Sequence, residues 1–159
     1  MRLVNRVVVP LRALLALLFL GLVVAQLLSM PGQLAHMAEQ EPELAYLRWP
    51  LLTFAVLELA CAQVVIVCTW RLLTLVREDH IFSEGAFAWV DAIVWAMAAA
   101  WLMLVVVFVY FTALIRGPGL PVLLFGMVLA GGVVVLLMVV MRALLRQATS
   151  LRTDLEAVI

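Results

Sequence analysis

The stretch LRALLALLFLGLVVAQLLS, residues 11–29, decides the fold because it is long, apolar and carries a single charge at Arg12. A helix needs about 20 apolar residues to cross roughly 30 Å of hydrocarbon. Three similar runs follow it. The sequence therefore predicts four membrane-spanning helices, at about residues 6–29, 51–76, 86–115 and 121–141.

The composition agrees with a membrane protein. Hydrophobic residues make up 68% of the 159 residues and charged residues 13%, and the mean hydropathy is +1.24. A soluble domain of this size could not bury so much apolar surface. We expect one all-α domain over residues 1–159, a four-helix transmembrane bundle with a cytoplasmic C-terminal helical extension at residues 142–159.

Short polar or helix-breaking segments separate the predicted spans. MPGQ at residues 30–33 and the Trp49-Pro50 step predict chain breaks, and REDHIFSEG at residues 77–85 predicts an inter-helix loop. RGPG at residues 116–119 predicts a tight turn. The last two spans should therefore be antiparallel neighbours.

The arginines predict the orientation. All ten basic residues are Arg, and with both termini in the cytoplasm only Arg48 and Arg116 would lie outside. This is a positive-inside bias. The first span resembles a signal peptide, but its apolar core is longer than usual and no small-x-small cleavage site follows. We therefore expect a multi-pass protein with both termini inside.

Two ionisable residues fall at matching depth in neighbouring spans. Arg71 and Asp91 each lie one to two turns from the inner end of their span, and an unpaired charge in lipid is costly. We expect them to pair. A structural salt bridge that fixes helix register is favoured over a proton or ion path, because Arg at this shallow depth can reach the interface.

Glu58 is the more unusual residue, because it lies about two turns below the outer face with no charged neighbour in its own span. Tyr110 and Thr112 should lie at similar depth, and Gln26 and Arg116 are further candidate partners. One reading is a carboxyl hydrogen-bonded inside the bundle, and the other is a ligand or cation contact in a cavity.

No set of residues predicts an enzyme, a cofactor site or a metal site. Cys61 and Cys68 are seven residues apart on one helix, roughly 10 Å, which is too far for a disulfide. The two histidines are too few for a usual zinc site, so His80 and Glu84 fit a solvated loop better. A net charge of zero gives no indication of direct nucleic-acid binding.

Small residues recur at every fourth position in three spans, which lets helix backbones approach closely. Packing within the bundle is the simpler interpretation, and a homodimer is the alternative. These residues are Gly21 and Ala25, the series Ala88, Ala92, Ala96 and Ala100, and the pair Gly126 and Ala130.

The tail carries an apolar stripe that continues out of the fourth span. Leu144, Ala148, Leu151 and Leu155 follow steps of four and three, and no Gly or Pro interrupts them. We therefore expect one helix that runs past the membrane. Its stripe could dock on the bundle, pair with a second copy, lie on the anionic inner leaflet or bind a soluble partner.

Two segments resemble a bacterial membrane-protein family, domain of unknown function 2975, the YoaS-like proteins. The segments are IFSEGAF at residues 81–87, with its Phe82-Ser83 step, and the tail, where the similarity rests on a few spaced residues. These are Leu144, Leu145, Ala148, Leu151, Asp154, Glu156 and Ile159. The family's loop usually continues with basic residues, whereas Glu84, Gly85 and Ala86 follow here.

The resemblance implies a small four-span protein of the bacterial cytoplasmic membrane. Because the family often occurs together with a small helix-turn-helix regulator, it also implies a membrane partner for a DNA-binding protein. Together these observations favour a non-enzymatic interaction protein that binds a cytoplasmic partner through its tail and inner loop, including Phe82 and Ser83. The alternative is a small transporter, channel or immunity-type protein built around Glu58. The first function needs the cytoplasmic tail and inner loop of this chain, whereas a transporter needs a polar cavity at Glu58.

Overall fold

The protein is a row of long antiparallel helices, seen in a computed structural model that describes residues 2–40, 42–77, 84–114 and 119–159. Within these residues, four helical stretches are long and apolar enough to cross a membrane. The predicted all-α, four-span fold is confirmed. The helical elements are α1 (Arg2–Val24), a π-helical turn (Ala25–Ser29), α2 (Met30–Gln40), a 3-10 turn (Pro42–Leu47), α3 (Arg48–Arg77), α4 (Glu84–Leu114) and α5 (Gly119–Val158).

The predicted chain break at residues 30–33 was wrong, because the helix continues through Pro31 and Gly32 into α2. Proline lacks the N–H of the normal helical bond and its ring crowds the preceding turn. The turn before Pro31 widens instead, and the N–H of Met30 donates to the carbonyl of Ala25, five residues back. This π-helical turn accommodates the proline without ending the helix.

The helices pack in chain order rather than as a closed ring. The α1 helix packs on α3, α3 on α4, and α4 on α5, and among the described residues the backbones of α1 and α4, and of α3 and α5, do not approach within 8 Å. The most buried residues of the central pair are Ile66 and Cys68 in α3 and Ala86 and Ile93 in α4. Most other apolar side chains face outward, as is expected where the surrounding medium is hydrocarbon.

The α4–α5 interface is closed by a tryptophan that sits against two glycines. The indole Nε1 of Trp101 donates to the carbonyl of Val128 at 2.8 Å. A Cβ added to Gly131 would lie 2.9 Å from the Trp101 ring, and one added to Gly132 would lie 3.3 Å from it. Only glycine therefore lets α5 approach the ring this closely.

The α5 helix is twice as long as a membrane span requires. Its 40 residues extend about 60 Å at 1.5 Å per residue, whereas roughly 30 Å crosses the hydrocarbon. The structure thus confirms an unbroken helix from the fourth span through the tail.

Candidate functional site

Asp91 lies at the centre of a charge cluster between α4 and α5. Its carboxylate accepts two hydrogen bonds from the Arg142 guanidinium, one from Nε and one from Nη2, the latter at 2.5 Å. Nη2 of Arg146 lies 3.4 Å from the same carboxylate. The bidentate contact with Arg142 is the stronger geometry of an arginine–carboxylate ion pair. It joins α4 and α5 near one end of the row of helices.

The predicted pairing of Asp91 with Arg71 was wrong. The Arg71 guanidinium lies over the Trp89 ring instead, 5.8 Å from its centroid. The predicted level of Arg71 relative to Asp91 was nearly right, because Trp89, which Arg71 contacts, is only two residues from Asp91. However, two residues turn a helical side chain by about 200°, so Trp89 faces Arg71 while Asp91 faces α5.

Arg12 is a second cation at the same end of the row. Its Nη2 donates to the hydroxyl of Thr74 at 2.9 Å, and its guanidinium lies 5.7 Å from the centroid of the Trp70 ring. Among the described residues, no carboxylate lies within 4.0 Å of Arg12 or Arg71. We call the end that carries Arg12, Arg71, Arg142 and Arg146 the arginine end.

Two glutamines form the polar contact in the middle of the α1–α3 interface. Gln63 Nε2 donates to Gln26 Oε1 at 2.8 Å, and Gln26 Nε2 donates to the carbonyl of Val56 at 3.2 Å. Gln26 lies in the π-helical turn, which displaces its side chain relative to a regular helix. This amide pair joins α1 to α3 without any charge.

The candidate site of Glu58, Tyr110 and Thr112 is not joined by hydrogen bonds. Oε2 of Glu58 is buried without a hydrogen-bond partner among the described residues. The Thr112 hydroxyl donates to the carbonyl of Phe108 in its own helix, and Tyr110 is 48% exposed. The Arg71–Trp89 contact sets Glu58 near the level of Leu102, so Tyr110 lies roughly two turns, or about 12 Å, beyond it.

The apolar stripe of the tail is exposed in the structure. Leu144 is 54% exposed, Leu151 57% and Leu155 67%, and Ala148 is also exposed. Arg142 precedes Leu144 by two residues, about 200° of rotation, so the stripe points away from α4. The stripe therefore does not dock on its own bundle. We call Leu144, Ala148, Leu151, Leu155 and Val158 the exposed stripe.

The remaining predicted site residues come just before α4 in the sequence. Phe82 and Ser83, like His80, lie outside the described residues. Within the described ranges, no group of three or more His, Cys, Asp or Glu side chains could hold a metal ion.

Sequence reasoning missed the contacts of Asp91 with Arg142 and Arg146, and those of Trp101 with two glycines of α5. The partner role of Arg142 and Arg146 could have been suspected, because both lie on the side of α5 opposite the stripe. The Gly131-Gly132 pair is a sequence signal for close helix approach, whereas the four-residue spacing predicts the approach at Gly126 and Ala130. A Cβ added to Gly126 meets nothing within 4 Å.

Comparison with known proteins gives a family and no activity. Residues 32–159 match the family described as a protein of unknown function, DUF2975. The matched region begins in α2 and includes α3, α4, α5 and the exposed stripe. No curated protein and no solved structure matches the chain.

Proposed function

The chain belongs to the DUF2975 family, and we propose that it is a non-enzymatic protein of the bacterial cytoplasmic membrane that binds a cytoplasmic partner protein. The binding surface in this proposal is the exposed stripe, together with the predicted inter-helix segment that contains Phe82 and Ser83. Both termini lie in the cytoplasm in this proposal. Zero net charge and the membrane location argue against direct nucleic-acid binding.

One observation carries the proposal: the exposed stripe continues beyond the membrane-spanning part of α5 and no other part of the described chain covers it. Leu151 and Leu155 are more than half exposed, on a helix whose extramembrane part is short. A helix of this length is marginal in water unless its apolar face is covered. A partner with a complementary apolar groove would cover it, as amphipathic helices are covered in other complexes.

The family resemblance supports a small helix-turn-helix regulator as the partner. Such a regulator would be held at the membrane by the stripe, away from its DNA. Pairing with a second copy of the chain and binding to the lipid surface are the competing uses of the same stripe.

Charging the middle of the stripe tests this function. We expect Leu151→Glu with Leu155→Glu to leave the four spans inserted and to abolish co-purification of the regulator, measured by quantitative mass spectrometry of the full-length chain from membranes. The matched control is Ser150→Glu with Thr153→Glu, which adds the same charge off the stripe to two exposed positions.

The control pair should keep the partner. If both pairs retain the same regulator, the stripe does not bind it. If the stripe pair instead converts a dimer to a monomer, the stripe joins two copies of the chain. If it releases only the tail from anionic vesicles, the stripe is a lipid contact. Each of these results would overturn the proposed function.

The orientation has its own test, which starts from a chain with Cys61→Ala and Cys68→Ala. A cysteine introduced at Gln40 should react with an impermeant reagent added to intact cells, whereas one introduced at Ser150 should react only after lysis. The reverse pattern would place the stripe outside the cell, where no cytoplasmic partner could reach it.

A second candidate function, a small transporter, channel or immunity-type protein, is favoured by the unpartnered carboxylate oxygen of Glu58. A buried acid in a membrane span commonly lies on an ion or proton path. If this is the function, Glu58→Gln should abolish ion or proton flux into liposomes containing the purified chain, and the stripe variants should leave the flux unchanged.

A further inference from the structure

A cavity of about 430 Å³ lies between α1 and α3 toward the arginine end. Apolar side chains form most of its wall, including Leu15, Ala16 and Phe19 from α1 and Ile66 from α3. Its volume falls within the roughly 300–1,000 Å³ that ligand sites occupy. The α1–α3 interface is tied by side-chain hydrogen bonds at Gln26 and Arg12, and the cavity lies between these two levels.

Cations lie at one end of this otherwise apolar cavity. Trp70 and Arg71 complete its wall, and Arg12 stacks on the Trp70 ring. Nε of Arg12 is buried without a hydrogen-bond partner among the described residues. Arg71 is exposed and lies about 9 Å before the end of α3, a depth at which its long side chain reaches the headgroup level.

We propose that this cavity binds one anionic phospholipid, with an acyl chain along α1 and α3 and the phosphate held by Arg71 and Arg12. The charges decide the occupant, because the wall is apolar where an acyl chain would lie and cationic where a headgroup would lie. Basic pockets between membrane helices recognise anionic headgroups by this arrangement. A helix from another protein would fill the apolar part but would leave both guanidinium groups without a counterion. The proposal is independent of the partner bound by the tail.

Lipid selectivity of the full-length chain tests the proposal. The chain is placed in nanodiscs containing equal amounts of phosphatidylglycerol and phosphatidylcholine, and the lipids it retains are counted by native mass spectrometry. We expect phosphatidylglycerol to be retained in excess. Arg71→Gln should reduce that preference about fivefold, because one of the two arginine contacts to the bound phosphate is lost. Ala16→Phe, which fills the cavity, should reduce retention of a bound lipid while all cations remain.

Arg77→Gln is the matched control, because it removes the same charge from an exposed position six residues farther along α3. It should leave the lipid preference unchanged. Equal effects of Arg71→Gln and Arg77→Gln would indicate general surface charge and overturn the proposal. Unchanged lipid retention in Ala16→Phe would also overturn the proposal. If Ala16→Phe instead dissociates a dimer, the cavity is occupied by a second copy of the chain, and the proposal is overturned. If Arg71→Gln does not fold, the Ala16→Phe result decides alone.

Discussion

The α4–α5 and α1–α3 interfaces each join two antiparallel helices, but they do so in opposite ways. The α4–α5 pair combines an ion cluster at Asp91 with a close backbone approach at Gly131. The α1–α3 pair uses hydrogen bonds donated by Gln26 and Arg12, without an ion pair among the described residues, and it leaves an apolar cavity between the two helices. The α4–α5 interface is tight and held by an ion pair, whereas the α1–α3 interface is open and carries cations without a carboxylate partner among the described residues.

This difference has a physical basis in the membrane. Hydrocarbon supplies no net drive for apolar helix faces to associate, so close packing and polar contacts must supply it. Glycines bring α4 and α5 into contact along Trp101, which leaves no room for another molecule. No tryptophan–glycine contact of this kind joins α1 to α3 among the described residues, and the space between them is available to lipid.

The largest effect should come from filling the glycine notch. We expect Gly131→Leu to destabilise the chain by about 3 kcal/mol, because the new side chain overlaps the Trp101 ring and pushes α5 from α4. The free energy of unfolding can be measured by titrating SDS into mixed micelles.

The control for this change is Gly126→Leu on the same helix, where an added Cβ meets nothing within 4 Å. It should be close to neutral. Equal destabilisation by the two changes would mean that the notch is not what holds α4 and α5 together.

An intermediate effect should follow from breaking the ion cluster. Asp91→Ala should cost about 2 kcal/mol, between the values for exposed and buried pairs, because Asp91 and Arg142 are 28% and 29% exposed. The exchange Asp91→Arg with Arg142→Asp should recover part of this loss in the same unfolding measurement.

Arg71 supplies the contrast in this experiment. Asp91→Arg combined with Arg71→Asp should recover nothing, because Arg71 lies over Trp89. Recovery with Arg71 and not with Arg142 would restore the pairing expected from the sequence and contradict the packing of α4 on α5.

Sequence alone predicted the number of helices that are long and apolar enough to cross a membrane, because hydrophobic run length is set by bilayer thickness. It did not predict which way a side chain turns at a given depth. Asp91 illustrates this limit. Its position along the helix was predicted, but its partner depends on the direction in which the side chain points around the helix axis. A helix that is apolar on all sides has no amphipathic pattern from which that direction could be read. Glu58 and Tyr110 illustrate the same limit, because no hydrogen bond joins their side chains among the described residues.

The exposed stripe of the tail was predictable because this segment does carry an amphipathic pattern. Outside the hydrocarbon, polar and apolar residues alternate with helical period, so the exposed stripe could be located at Leu144, Leu151 and Leu155 from spacing alone. The continuous helix through Pro31 could not be foreseen, because a π-helical turn leaves no distinctive sequence signal.

The smallest effect should come from the glutamine pair between α1 and α3. Interhelical hydrogen bonds in membranes contribute about 0.6 kcal/mol on average, so Gln63→Leu should cost roughly that amount. Gln26→Leu should cost more, because it also removes the bond to the carbonyl of Val56. In a double-mutant cycle, the coupling between the two positions should be close to the cost of Gln63→Leu alone, since its amide reaches α1 only through Gln26. A coupling free energy of zero would show that the glutamine pair does not stabilise the α1–α3 interface. The stability of this interface would then depend on the bond between Arg12 and Thr74 and on the occupant of the cavity.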